Sequence, residues 1–224
     1  MPSLRLEILR MRSPRTGKLP SSRRVPLGLM LMSRGEITAS QLTIALDKQK
    51  SSGSGKIGEW LIQLGYVGEP EVLGALGAQW GCPVLNLSAE RLPDCVGLLP
   101  LKLLECHHML PVQFVLKTRI LYLGCSLSID HSAMYSIEKM LACKTAWCAV
   151  GQSTVGKLLQ KARQEIRMRE VIFDSFCPED EVVRFTLAYG LKLGTQVVRV
   201  TRSGEYLWVR LVGGDQQTDL LFRA

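Results

Sequence analysis

The sequence predicts an α+β protein: an N-terminal four-helix bundle of two tandem helical hairpins, a small α/β unit, then a helix and a three-stranded antiparallel meander. Three observations predict it. The first third of the chain repeats itself at an offset of 30 residues, with helical apolar spacing inside each copy. Apolar runs at Met109–Val115 and Arg119–Cys125 then flank a polar turn at Lys117–Thr118. Last, Asp180–Leu193 has helical spacing, and alternating segments follow at Gln196–Thr201, Tyr206–Val212 and Asp219–Arg223.

In the repeat, Leu27 falls on Ile57, Gly28 on Gly58, Leu31 on Leu61, Gly35 on Gly65, Ile37 on Val67, Leu42 on Val72, Leu46 on Leu76 and Gln49 on Gln79. Each copy reads as a hairpin. A first helix, Leu27–Arg34 or Ile57–Leu64, ends at a glycine, the residue that takes a positive φ without steric cost. A buried Ile37 or Val67 follows. The second helix is Ser40–Lys50, capped by Thr38, or Glu69–Trp80, with Pro70 in its tolerant first turn. The segment SSGSG, residues 51–55, is a flexible turn between the copies.

Beyond the repeat, the spacing predicts a helix over Leu92–His107 broken at Pro100, the two strands, a helix over His131–Ala142, a strand over Thr145–Val150 and a helix from Ser153. The predicted organisation is a disordered basic tail over residues 1–25, a first domain over 26–162 (helical repeats 26–80, α/β part 81–162), a linker over 163–178 and a small α+β piece over 179–224.

The formal net charge of +8 does not point to nucleic acid, because residues 1–25 hold seven basic side chains against Glu7 and leave the rest nearly neutral. Each hairpin is a helix–turn–helix in outline, but Glu69–Trp80 carries two glutamates and no basic residue, so a DNA-reading helix is not expected. No apolar run reaches the roughly 18 residues of a transmembrane span, and no secretory signal is expected. The 7 cysteines sit mostly in apolar stretches, which suits buried thiols in a reducing, cytoplasmic setting.

Residues 151–158, GQSTVGKL, have P-loop spacing, but Leu158 replaces the metal-ligating Ser/Thr. They read instead as a helix start capped by Ser153 or Thr154. Cys106, His107 and His108 are adjacent and point apart, and Cys143 and Cys148 have no second pair, so no metal site is expected. No Ser/His/Asp arrangement stands out, and no enzyme is expected.

The pattern Leu-Gly-x-x-Leu-x-x-x-Gly-x-Ile-x-x-x-x-Leu-x-x-x-Leu-x-x-Gln, twice, resembles the MshEN domain. This is the GspE-type N-terminal domain of type II secretion and type IV pilus assembly ATPases. Trp80–Ser88 and Leu98–Val115 resemble the family segments that follow, so the similarity covers roughly residues 26–165. Residues 179–224 loosely resemble the opening of the PAS-like domain that comes next in that family, and the ATPase core is absent from the sequence.

The resemblance implies a non-catalytic regulatory or scaffold module whose partners are secretion or pilus assembly components. It also implies cyclic di-GMP as a ligand, at Leu27, Gly28, Leu31, Gln49, Lys56, Ile57, Gly58, Leu61 and Gln79. In the family a leading arginine of each motif contacts guanine or phosphate. Here Pro26 and Lys56 stand in those places, and an acidic family segment aligns with Ser126–Leu127–Ser128. The alternative is a protein-interaction adaptor with no nucleotide ligand.

Overall fold

The computed structural model describes residues 5–7, 25–166, 169–214 and 216–223. The bundle comprises α1 (Leu27–Ser33), α2 (Ala39–Ser52), α3 (Ile57–Gln63) and α4 (Glu69–Trp80). Both short helices end alike. Gly35 and Gly65 sit at φ +74° and +70°, where a Cβ would be strained. The amide of Glu36 donates to the Leu31 carbonyl and that of Tyr66 to the Leu61 carbonyl, each at 3.0 Å, closing a Schellman turn. Thr38 forms a capping box with Gln41: its hydroxyl accepts from the Gln41 amide at 3.2 Å and its own amide donates to Oε1 at 2.8 Å. Helix α2 runs on to Ser52, two residues past the expected end, and stops at Gly53 with φ +67°.

The two repeats interlock, with α1 against α4 and α2 against α3. Leu31, Ile37, Ala45, Leu61, Val72 and Ala75 form their common core. Neither hairpin could bury its apolar face alone.

The α/β unit holds a 3-10 turn at Val96–Leu98, α5 (Leu101–Cys106), β2 (Met109–Val115), β3 (Ile120–Cys125), α6 (His131–Leu141), β4 (Lys144–Ala149) and α7 (Gln152–Glu165). Its sheet has the order β2-β3-β4, the first pair antiparallel and the second parallel. The helix expected over Leu92–His107 is corrected to that single 3-10 turn and α5. Prolines 93 and 100 have no N–H to extend a helix, and the Pro93 carbonyl accepts the turn's first amide from Val96 at 3.1 Å.

The C-terminal part adds β5 (Glu170–Phe176), α8 (Glu179–Lys192), β6 (Val197–Ser203), β7 (Tyr206–Gly213) and β8 (Gln216–Arg223). The expected meander β6–β7–β8 is present, extended by β1 (Arg5–Glu7) on one side and β5 on the other to the order β1-β6-β7-β8-β5. Strand β5 lies in the stretch expected as a linker, 163–178, which also holds the last turn of α7. It pairs in parallel with β8 because Val171 and Phe173 supply apolar side chains to the core under α8. Strand β1 (Arg5–Glu7) pairs in parallel with Val197–Arg199 on the other edge, within the stretch expected to be a disordered tail. The rest of that tail up to residue 24 lies outside the described residues.

Alternation along this sheet divides its side chains between two layers. Val209, Leu211, Leu220 and Phe222 face α8. Tyr206, Trp208 and Leu221 join the core of the α/β unit. On the α/β face, beside Trp208, Arg210, 2% exposed, makes a bidentate pair with Asp219 at 2.7 and 2.8 Å. The Trp208 indole donates to the same carboxylate at 2.7 Å, and Arg210 reaches the Leu98 carbonyl at 2.8 Å. Arg210 Nε and Nη2 and both Asp219 oxygens thus have partners, which favours burying such a charge pair.

Candidate functional site

The structure brings together the heads of the two repeat motifs. Leu27 lies against Gly58, where a Cβ would come within 3.2 Å of Leu27 Cδ2 and 3.1 Å of Val72 Cγ1. Gly28 abuts Leu42, whose Cδ1 would stand 2.5 Å from an added Cβ. Both glycines therefore serve close helix–helix approach. Leu31 and Leu61 are fully buried in the bundle core, and half-buried Ile57 packs against it.

The two glutamines are engaged inside the protein. Gln49 Nε2 donates to the Gly55 carbonyl at 2.8 Å and Gln79 Nε2 to the Val25 carbonyl at 2.7 Å. Each fastens the end of one repeat to the residue just before the leading position of the other, and the two bonds are related by the same 30-residue offset.

Leu27, Lys56 and Gly58 line a cavity of about 60 Å³ between the second repeat and the α/β unit. Ser126 and Leu127, from the segment expected to stand in the acidic family position, form its far wall together with Gly151 and Gln152. The wall of the bundle is apolar, from Val72, Leu73 and Leu76, and the rim is polar. Lys56 Nζ donates to the Leu127 carbonyl at 2.8 Å. Burial pulls the Lys56 ammonium below its usual range, partly offset by the nearby Glu59 carboxylate. Glu59 in turn accepts from Gln152 Nε2 at 3.3 Å.

Glu69 completes the rim and corrects one expectation. Helix α7 has no side-chain cap of its own, and neither Ser153 nor Thr154 serves. Instead the Glu69 carboxylate, from the first turn of α4, accepts from the Ser153 amide at 2.9 Å and from its hydroxyl at 2.5 Å. A carboxylate at a helix N-terminus satisfies free amides and opposes the positive end of the helix dipole. The P-loop-like stretch thus holds an internal carboxylate where a P-loop would hold phosphate.

These groups clamp the bundle to the α/β unit at three points. Two carboxylates, Glu59 and Glu69, lie on the cavity rim beside the engaged Lys56. Glu59, Glu69, Leu127, Gln152 and Ser153 were not legible as a group, because the partners lie 71 to 93 residues apart. The acidic first turn of α4 was the only visible signal.

A second arrangement also went unforeseen. His107 Nδ1 meets Asp130 Oδ2 at 2.9 Å and His107 Nε2 meets Ser203 Oγ at 3.0 Å. The order matches a nucleophile–base–acid relay, but Ser203 is 2% exposed and ends a paired strand. Asp130 also caps α6, accepting from the Ser132 and Ala133 amides at 3.0 Å. The trio acts as a bracket joining α5, α6 and β6. Nearby, Arg199 reaches the Met140 carbonyl at 2.8 Å, and the Ser136 hydroxyl donates to that of Arg202.

Among the described residues no group of three or more His, Cys, Asp or Glu could hold a metal ion, and no helix is long and apolar enough to cross a membrane.

No family model matches the chain. It is 32% identical over 87 residues to the type IV pilus assembly ATPase PilB of Myxococcus xanthus (strain DK1622), a stretch covering 38% of this chain and 15% of that protein. The chain therefore spans only a small part of that relative. Among solved structures, MshE with cdg (c-di-GMP) aligns at 25% identity and a TM-score of 0.51, over 62% of this chain and 99% of that one. The N-terminal domain of XpsE aligns at 18% identity and a TM-score of 0.44, over 60% of this chain and 92% of that one. With an interlocked tandem bundle set on a small α/β unit, and with the likenesses to PilB and MshE, the chain resembles N-terminal domains of the MshEN/GspE type.

Proposed function

We propose that this chain works in the cytoplasm as a non-catalytic scaffold or regulatory module of a type II secretion or type IV pilus system, binding assembly components through protein–protein contacts. The observation that carries this reading is the tandem bundle clamped to its α/β unit, an architecture shared with MshE over 99% of that chain. The stretch similar to the type IV pilus assembly ATPase PilB, a part of that protein rather than its whole length, supports this reading.

Within that reading the adaptor form, with no nucleotide ligand, is favoured over cyclic di-GMP binding. Pro26 removes one leading cation, and Lys56, at the other leading position, is held by the Leu127 carbonyl. Gln49 and Gln79 spend their amides on backbone carbonyls, and Glu59 and Glu69 place negative charge beside Lys56. Were a cyclic dinucleotide to bind, Leu27, Lys56 and Gly58 are the motif residues nearest to meet it. Each missing stacked or bidentate guanidinium contact would cost about 1–3 kcal/mol.

Titration calorimetry with purified protein tests this. No heat is expected from cyclic di-GMP up to about 100 μM, a dissociation constant equivalent to about 5.5 kcal/mol of binding free energy. The double variant Pro26→Arg, Lys56→Arg is expected to gain measurable affinity. Submicromolar binding by the unaltered chain would replace the adaptor reading with the ligand-gated one.

A further inference from the structure

The end of the α/β unit where β2 turns into β3 presents a leucine ringed by cations. All four turn residues, Leu116, Lys117, Thr118 and Arg119, are exposed, and Leu116 stands 76% exposed. A single exposed leucine is ordinary. What surrounds this one gives it a use.

Arg119 turns towards α6, where its Nε and Nη2 donate to the Ala142 and Leu141 carbonyls, both at 2.8 Å. Its own carbonyl accepts from the Lys144 amide at 2.9 Å, which sets the start of β4 beside the turn. Lys144 is in register with Ile120. It therefore shares with Ile120 and the exposed Tyr122 the sheet face opposite to buried Leu121 and Leu123. Lys139 lies in the last turn of α6 and is exposed. Cations thus stand on the turn itself, on its α6 side and on the open sheet face. Among the described residues none of these four is in an ion pair. Glu138, the acid next to Lys139, is held by the Thr145 amide and hydroxyl at 2.8 and 2.9 Å.

This group fits a negatively charged bilayer. A protein partner would need a pocket for one protruding leucine with acids placed around it. A bilayer supplies an apolar interior under a negative surface with no matching of shape. Tyr122, an amphipathic ring close behind the tip, suits the headgroup level.

We propose that the β2–β3 turn is a peripheral docking point for an anionic lipid surface. Leu116 enters the headgroup boundary, and Lys117, Arg119, Lys139 and Lys144 meet the lipid phosphates. This goes beyond the scaffold reading and does not depend on it.

Co-sedimentation of the full chain with vesicles tests the proposal. Vesicles of equal parts phosphatidylglycerol and phosphatidylcholine are expected to bind it at about 1 mM lipid, and phosphatidylcholine alone is not. Each cation near an anionic surface is worth about fivefold in partitioning, so Lys117→Gln combined with Lys144→Gln is expected to weaken binding about 25-fold. Leu116→Ser keeps the charge and is expected to weaken it about fivefold. All three positions are exposed, so circular dichroism and unfolding midpoints are expected to match the unaltered chain. Residues 1–25, with their seven basic side chains, are the same in every protein compared, so the difference reports the turn. An unaltered chain that stays in the supernatant overturns the proposal. So does a double variant, or a Leu116→Ser protein, that binds as before. Binding to soluble poly-glutamate that needs Lys117 and Lys144, with none to vesicles, overturns it in favour of an acidic protein partner.

Discussion

At the scale of single residues, burial sets the chemistry of the cysteines. Cys125 and Cys148 are 0% and 4% exposed, and burial pushes their thiols up to about 12 and about 11. The fold therefore holds both protonated, whereas an unfolded chain ionises them near about 8.5. Below that value the two states bind the same protons and this term leaves stability unchanged. Above it the unfolded chain releases protons that the folded chain keeps, so stability falls. The slope is about 1.4 kcal/mol per pH unit for each such group until its folded value is reached. Urea midpoints are expected to drop between about pH 9 and about pH 10.5. Cys125→Val is expected to flatten part of that drop, and an identical pH dependence in the variant would contradict the assignment. The sequence already suggested buried thiols from their apolar neighbours, but not which ones share the floor of the α/β unit.

At the scale of elements, helix ends were the most legible feature. Gly35, Gly65, the Thr38 cap and Pro70 all act through residues within a few positions of themselves, so local sequence is enough to read them. The start of α7 was misread for the opposite reason. Its cap comes from Glu69, 84 residues away, and no local pattern reports such a partner. Glu69→Ala removes a carboxylate that holds an amide and a hydroxyl at a helix N-terminus. It is expected to cost about 1–2 kcal/mol, in the range of lost caps, measured by urea denaturation. Glu71→Ala, two positions along in the same first turn but without such a bond, serves as the control and should change stability little. Equal loss in both variants would argue against the cap. Strand β5 was missed because a charged, short segment reads as a linker until β8 offers it an edge.

At the scale of the whole molecule, the C-terminal sheet serves as a shared wall. One face packs under α8 and the other closes the α/β unit through Tyr206, Trp208 and Leu221. The Arg210–Asp219 pair at that wall is 2% and 5% exposed. Asp219→Ala would leave a buried guanidinium and the Trp208 N–H without their acceptor. It is expected to destabilise the chain by about 3–5 kcal/mol, read as a shift in the denaturation midpoint. Arg210→Met combined with Asp219→Leu removes both charges and is expected to cost less than the single change. A single variant as stable as the parent would mean that the sheet is not anchored through this pair.

The sequence by itself determined the repeat, the helix stops, the strand pairs and the α+β class, because these follow from periodicity and from residues close along the chain. It also carried the likeness to MshEN-type domains, since the leucine–glycine framework is written in consecutive positions. The tertiary structure alone decided what the motif residues do. Leu31 and Leu61 became core, Gln49 and Gln79 became internal fasteners, and Lys56, Glu59 and Glu69 became the clamp around a small cavity. It also assembled the His107–Asp130–Ser203 bracket. The physical reason is common to all of these. A side chain's role depends on which partner reaches it, and partners separated by tens of residues are chosen by packing rather than by local pattern.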